Sequence, residues 1–178
     1  MPDCLAPIHP PCRAGFATLC ALAFASLMLL SACDERRIDK LEEGTATEMD
    51  VMRQFGAPIE IHTEPDGART FEYTRQPEGT TNYFITIGSD GKMSALRQVL
   101  HPQYFERVRA GMTQAQVRRL LGQPARTQRY AAQPGEDWAW RWQDGPNAVR
   151  LFSVSFGPDG RVLHSEVSDD QRAQQGWH

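Results

Sequence analysis

Apolar positions along the chain follow two rhythms, each of which occurs twice. In one window Val117, Leu120 and Leu121 stand at i, i+3 and i+4, and in an earlier one Val51, Met52 and Phe55 keep a similar spacing, which places each set on one face of a short helix. After each window the period changes to two. Phe71 and Tyr73 alternate with Glu72 and Thr74, and Trp138, Trp140 and Trp142 alternate with Ala139, Arg141 and Gln143. Next, Tyr83, Ile85 and Ile87 match Phe152, Val154 and Phe156, with Asn82, Thr86, Ser153 and Ser155 on the other side. Alternation of this kind predicts half-buried strands, with one side on a core and a semi-polar side left open.

Start and stop signals frame these elements. Thr113 can cap the second helix while Gln116, three residues on, returns a bond to the cap, a capping box. Gly122 can adopt the left-handed conformation that ends a helix, and Pro124 prevents continuation. Gly56 and Pro58 repeat that ending, and Asp90-Gly91 and Asp159-Gly160 are tight-turn dipeptides leading into a further strand. Ile38 to Leu41 and Tyr104 to Val108 predict one more short helix ahead of each glycine-led turn.

The two series run in register, offset by 66 residues at Gly56-Ala57-Pro58 and Gly122-Gln123-Pro124 and by 69 at the Asp-Gly turns. We read a duplicated unit, since solenoid repeats are shorter than this. The expected fold is α+β: tandem small domains, each with two short helices packed on a three-stranded antiparallel sheet. The first domain spans 33–100 and the second 101–170, with His101-Pro102 at the junction and a polar tail at 171–178.

The N-terminus carries a different signal. Arg13 precedes an apolar run from Ala14 to Leu30 that ends in small residues, which predicts an export signal over residues 1–32 rather than a spanning helix; an uncleaved anchor is the alternative. Cleavage between Ala32 and Cys33 would remove Cys4, Cys12 and Cys20, leaving Cys33 as the single mature cysteine and no internal disulfide.

Composition, with 40% apolar and 23% charged residues, is that of a globular chain. The net charge of −3 comes without a basic stripe, which argues against nucleic acid. Residues 34–100 hold 8 Lys/Arg against 13 Asp/Glu and residues 101–170 hold 9 against 8, an asymmetry that reads as solvated surface or as an acidic face for a basic partner. His62, His101, His164 and His178 lack metal-ligand spacing, so no metal is expected, and no small-molecule substrate is inferred. Without a nucleophile elbow or a phosphate loop, and with Glu136 and Asp137 read as solvated carboxylates near a turn, an enzyme is not expected. The best contact candidates are Trp138, Trp140 and Trp142, which otherwise form the core under the helices. Arg141 on the other side of that strand and the Gly111-Met112-Thr113 turn follow, with Met112 either an exposed anchor or packed inward.

Leu30-Ser31-Ala32-Cys33 resembles the lipobox of bacterial lipoproteins, which implies a diacylglyceryl and an N-acyl lipid on Cys33, with no other cofactor. The alternative is an ordinary secretory signal beside a cysteine. Gly111-Met112-Thr113, Val117, Leu120-Leu121-Gly122-x-Pro124 and the Trp-rich strand resemble the outer-membrane assembly lipoprotein family called BamE, SmpA or OmlA. The resemblance is partial in the first copy, where Gly44-Thr45-Ala46-Thr47 has an extra residue. It implies a non-catalytic protein-binding module, anchored by lipid facing the periplasm, that supports the β-barrel assembly machine or envelope integrity. Paired domains of this kind also resemble the β-lactamase inhibitory proteins, which gives a periplasmic inhibitor or ligand-sequestering protein as the alternative and an envelope hydrolase as a third reading. The family points to the outer membrane, whereas Asp34 resembles an inner-membrane retention signal.

Overall fold

A computed structural model describes residues 38–130, 133–146 and 148–170, together with their side chains except those of Tyr130 and Gln133. The expected export segment, Cys33, Asp34 and the tail at 171–178 lie outside the described residues.

From Leu41 onward the chain folds as one unit. Helix α1 (Glu48–Phe55) is followed by strands β1 (Glu60–Thr63), β2 (Arg69–Thr74), β3 (Asn82–Ile87) and β4 (Met93–Gln98). Helices α2 (Pro102–Phe105) and α3 (Gln114–Leu121) precede β5 (Arg126–Tyr130), β6 (Gln133–Gln143), β7 (Val149–Phe156) and β8 (Val162–Asp169). The strands form two antiparallel four-stranded meanders, β1-β2-β3-β4 and β5-β6-β7-β8, so the architecture is α+β.

Each sheet has one strand more than the three expected. The added strands, β1 and β5, follow the helix-ending prolines, where Glu60-Ile61-His62-Thr63 and Arg126-Thr127-Gln128-Arg129 expose most of their residues. A strand that buries little on either face carries no apolar alternation, which is why the pattern passed over both. A helix over Ile38 to Leu41 does not form either: only Ile38 is helical, and Asp39 and Lys40 make a turn.

Helix ends obey the local chemistry. Thr47 and Thr113 each accept a bond from the N–H three residues on, and Asp50 and Gln116 reciprocate to the cap N–H, giving two complete capping boxes. The ending glycines depart from expectation. Gly56 lies at φ 83°, ψ −161° and Gly122 at φ 75°, ψ −165°, an extended positive-φ region open in practice only to glycine rather than the left-handed helical one.

Register assigns the core. On the helix side of the first sheet Phe71 faces Ile85 and Tyr73 faces Tyr83, all buried under Val51 and Phe55. The Phe55 ring lies 5.1 Å from Tyr73 and 5.5 Å from Tyr83, within the range where aromatic pairs attract. In the second half Trp138 faces Val154 and Trp140 faces Phe152, beneath Val117 and Leu121. Phe105 stacks on Phe152 at 4.2 Å, which fixes α2 over the same sheet. The two halves also share a detail: the Tyr73 hydroxyl donates to Gly56 O at 3.1 Å, and Trp140 Nε1 donates to Gly122 O at 3.0 Å. A buried aromatic with a polar edge thus satisfies the carbonyl of the helix-ending glycine in each half.

Candidate functional site

The semi-polar side of the first sheet, expected to be open, is instead a seam against the end of α3. Its strands point Glu72, Asn82 and Phe84 away from α1, and all three are buried, Glu72 and Asn82 completely. Phe84 joins the core cluster of the second half, beside Val99, Leu100, Val117 and Leu121. Asn82 Nδ2 donates to Leu121 O and Gln123 O, each at 2.8 Å, so one amide satisfies two carbonyls that a helix end leaves without partners. Its Oδ1 accepts from Thr74 Oγ1 at 2.7 Å, which fixes the amide orientation.

Glu72 answers the other polarity. Its Oε1 accepts from Gln123 N–H at 2.7 Å and from Arg118 Nη1, while Arg118 Nη2 reaches Gln123 Oε1 at 2.8 Å and Glu60 Oε2 at 3.4 Å. Farther out, Arg119 pairs with Glu64 at 2.8 Å. The acidic first half and the arginines of α3 thus meet within this chain, which accounts for part of the charge asymmetry. Gly122 is required twice at the seam, because a Cβ there would come 3.0 Å from both Asn82 Nδ2 and Glu72 Oε1. Gly56, at the equivalent position, has open space around it.

A second tie joins the halves beyond the end of β5, where the edge of β6 opposite β7 has no paired strand among the described residues. Gln76 Oε1 accepts from Arg141 N–H at 3.2 Å and Gln76 Nε2 donates to Arg141 O at 2.7 Å, so a side-chain amide substitutes for a strand. The Arg141 guanidinium donates to Asp170 at 2.6 Å and to Pro77 O and Glu78 O at 3.1 and 3.0 Å.

These contacts place the sequence-derived candidates. Trp140 and Trp142 are core residues at 0% and 4% exposure, and Trp138 is half-buried against Phe156 at 4.9 Å, so of the row only Trp138 keeps part of its ring exposed. Arg141 is committed internally, as described above. In the Gly111-Met112-Thr113 turn, Gly111 N–H donates to Val162 O and Met112 O accepts from Val162 N–H, both at 2.8 Å, pinning the turn to the start of β8. Met112 is half-buried against the core, and Gly111 is exposed. Glu136 accepts from Gln114 Nε2 at 3.0 Å from within β6, and Asp137 lies beside it on the same strand.

The structure also gathers residues that sequence spacing left apart. Glu60, His62 and Glu72 bring one donor atom each to within 4.8 Å of the others. His62 Nδ1 lies 3.6 Å from Glu60 Oε1 and His62 Nε2 lies 3.7 Å from Glu72 Oε2. Neither His62 Nε2 nor Glu72 Oε2 has a hydrogen-bond partner, although both are buried. A signal for this cluster and for the seam was present in the register that the two halves share. Glu72 corresponds to Ala139 and Asn82 to Leu151, so polar residues stand in the first half where the second has apolar ones.

Two groups titrate away from their ordinary values. Burial, with a smaller effect of the nearby Glu48 carboxylate, raises the Tyr73 hydroxyl to about 12. Bonds from the Thr47 side chain and N–H hold the Asp50 carboxyl below its usual range, as a capping box should.

Among the described residues no helix is long and apolar enough to cross a membrane. No curated protein matches the sequence. Similar solved structures include an osmotically inducible lipoprotein, OsmE, with 26% identity over 43% of this chain and 90% of that one (TM-score 0.35); the DUF4309 family protein YjgB of Bacillus subtilis subsp. subtilis str. 168, with 17% identity over 73% and 82% (TM-score 0.29); and a protein described as a beta-lactamase inhibitor from Streptococcus mutans, with 11% identity over 78% and 96% (TM-score 0.30). Residues 98–166, which hold α2, α3 and the second sheet to near its end, match the family model of the outer membrane protein assembly factor BamE domain.

Proposed function

We propose that this protein is a lipid-anchored lipoprotein of the cell envelope that acts by contact, as a non-catalytic module in outer-membrane protein assembly or envelope integrity. The observation that carries the reading is the match of residues 98–166 to the BamE domain, in a chain whose apolar run from Ala14 to Leu30 leads into Ser31-Ala32-Cys33. A signal of that kind supports cleavage before Cys33, with diacylglyceryl and N-acyl chains on its sulfur and amine. Each buried methylene contributes about 0.8 kcal/mol, so several chains anchor firmly where one would not.

In this reading residues 33–100 are a divergent first BamE-like domain and 101–170 a second. Much of the first half's open face is taken up in holding the second, so a partner would meet the second half at its outer strand β8, where Leu163 and Val167 are exposed. We place the protein on the periplasmic face of the outer membrane, with Asp34 the one residue that favours the inner membrane. The test is mass spectrometry of the cellular protein together with fractionation of Cys33→Ala. The reading expects a mature chain that begins at a lipid-modified Cys33, and a variant released from membranes. A free thiol on an uncut chain would refute the anchor.

A further inference from the structure

We propose that Glu60, His62 and Glu72 form a binding site for a divalent first-row transition cation. The strand period of two puts Glu60 and His62 on one face of β1, and the pairing of Glu60 with Glu72 brings the third side chain onto that face from β2. The outcome is one imidazole and two carboxylates with donor atoms inside 4.8 Å. Imidazole with carboxylate suits Zn²⁺, Mn²⁺ or Fe²⁺, whereas Mg²⁺ and Ca²⁺ take oxygen donors.

Two further observations point to a ligand rather than to a solvated acidic surface. The Glu72 side chain is fully buried, and its Oε2 has no hydrogen-bond partner although it faces the equally unpartnered His62 Nε2. Buried polar atoms without partners cost free energy, and a cation between them would satisfy both. The carboxylates are also held by outer donors. Gln123 N–H and Arg118 donate to Glu72 Oε1 and Arg118 to Glu60 Oε2, which leaves Glu72 Oε2 facing His62 Nε2 and the half-exposed Glu60 Oε1 beside Nδ1 of the same ring, within reach of a cation held by Nε2 and Glu72. Hydrogen bonding that orients ligands in this way is typical of metal sites. Access is from the Glu60 side, whose side chain is 48% exposed. The guanidinium offsets one of the two carboxylates, so the cluster retains a negative charge for a cation to meet.

The fold itself does not demand these residues. At the same positions of the second sheet stand Arg126, Gln128 and Ala139, and that sheet forms with an equivalent register. The donor set therefore belongs to the first half alone. A bound cation would join β1 to β2 and, through Glu72, brace the seam that receives α3.

The experiment is titration of the protein extracted from cells, in detergent, stripped with chelator and with any free cysteine alkylated, against Zn²⁺ by calorimetry and Co²⁺ by visible absorption. One saturable site per chain is expected, with a rise in melting temperature as it fills. His62→Gln and Glu60→Gln, both changes near the solvent edge, should each weaken binding at least about tenfold and remove the Co²⁺ band, since even outer-shell changes cost that much. His164→Gln should leave both signals intact. Absence of a saturable site, or wild-type affinity in a His62→Gln variant that melts and scatters like the parent, overturns the proposal.

Discussion

Replacing Asn82 with alanine tests the seam at its most connected point. The amide is fully buried and makes three bonds, two to the carbonyls of Leu121 and Gln123 and one from Thr74 Oγ1. Truncation leaves the buried carbonyl of Leu121 and the part-buried one of Gln123 without this donor. Each buried acceptor deprived of its donor costs about 1–3 kcal/mol, so the loss should come to about 3–5 kcal/mol after Thr74 finds another orientation. Against a total stability of about 5–15 kcal/mol for a domain, that is a large fraction. Three of the four tryptophans lie in β6, so their fluorescence in urea reports the second half, while far-UV circular dichroism reports both. The native protein should show coincident transitions by the two probes, because the seam couples the halves. In Asn82→Ala both midpoints should fall and the curves should separate. Asn82→Asp should be at least as damaging, since it sets a carboxylate oxygen against two carbonyls. A loss below about 1 kcal/mol with coincident curves would show that the amide does not hold the halves together.

Other expectations follow from the same geometry. Gly122→Ala should destabilise more than Gly56→Ala, because both lie in a backbone region that costs about 1–3 kcal/mol for other residues but only Gly122 also meets Asn82 and Glu72 at 3.0 Å; equal losses in urea melts would contradict the contact. Trp140→Ala should cost about 3–5 kcal/mol through a cavity and the lost bond to Gly122 O, and unchanged thermal stability would refute its core placement. One of the four tyrosines should ionise late in a spectrophotometric titration, near pH 12, and Tyr73→Phe should remove that phase. Since the folded value is raised, the protonated hydroxyl's contribution to stability is complete below pH 10 and is lost as pH climbs through about 12.

Legibility in the sequence followed burial. Both helices with complete caps, the strands β2, β3, β6 and β7 and the Asp-Gly turns all carry patterns that local physics enforces, and the structure places Phe71, Tyr73, Trp140 and Phe152 on the inner face where period two puts them. Strands β1 and β5 escaped because edge strands with few buried residues are not obliged to alternate. The seam escaped for a different reason. Glu72 and Asn82 have the polarity of a solvent face, and only a tertiary partner 39 to 51 residues away turns that face into an interface. The Trp row was open to two readings, core or contact, and burial decides for core at Trp140 and Trp142, while Arg141 was a contact candidate because arginine is enriched at interfaces, and in this protein the interface that uses it is internal. His62 was set aside on spacing along the chain, whereas antiparallel pairing supplies its neighbours from across the sheet.

The central claim, action by contact at the envelope, is tested most directly by photo-crosslinking in intact cells from a reactive residue placed at Leu163 on the exposed strand β8, followed by identification of what is captured. The account predicts β-barrel assembly components or another membrane-bound envelope protein. Recovery of one soluble enzyme instead, inhibited by the purified chain, would contradict it and establish the inhibitory reading.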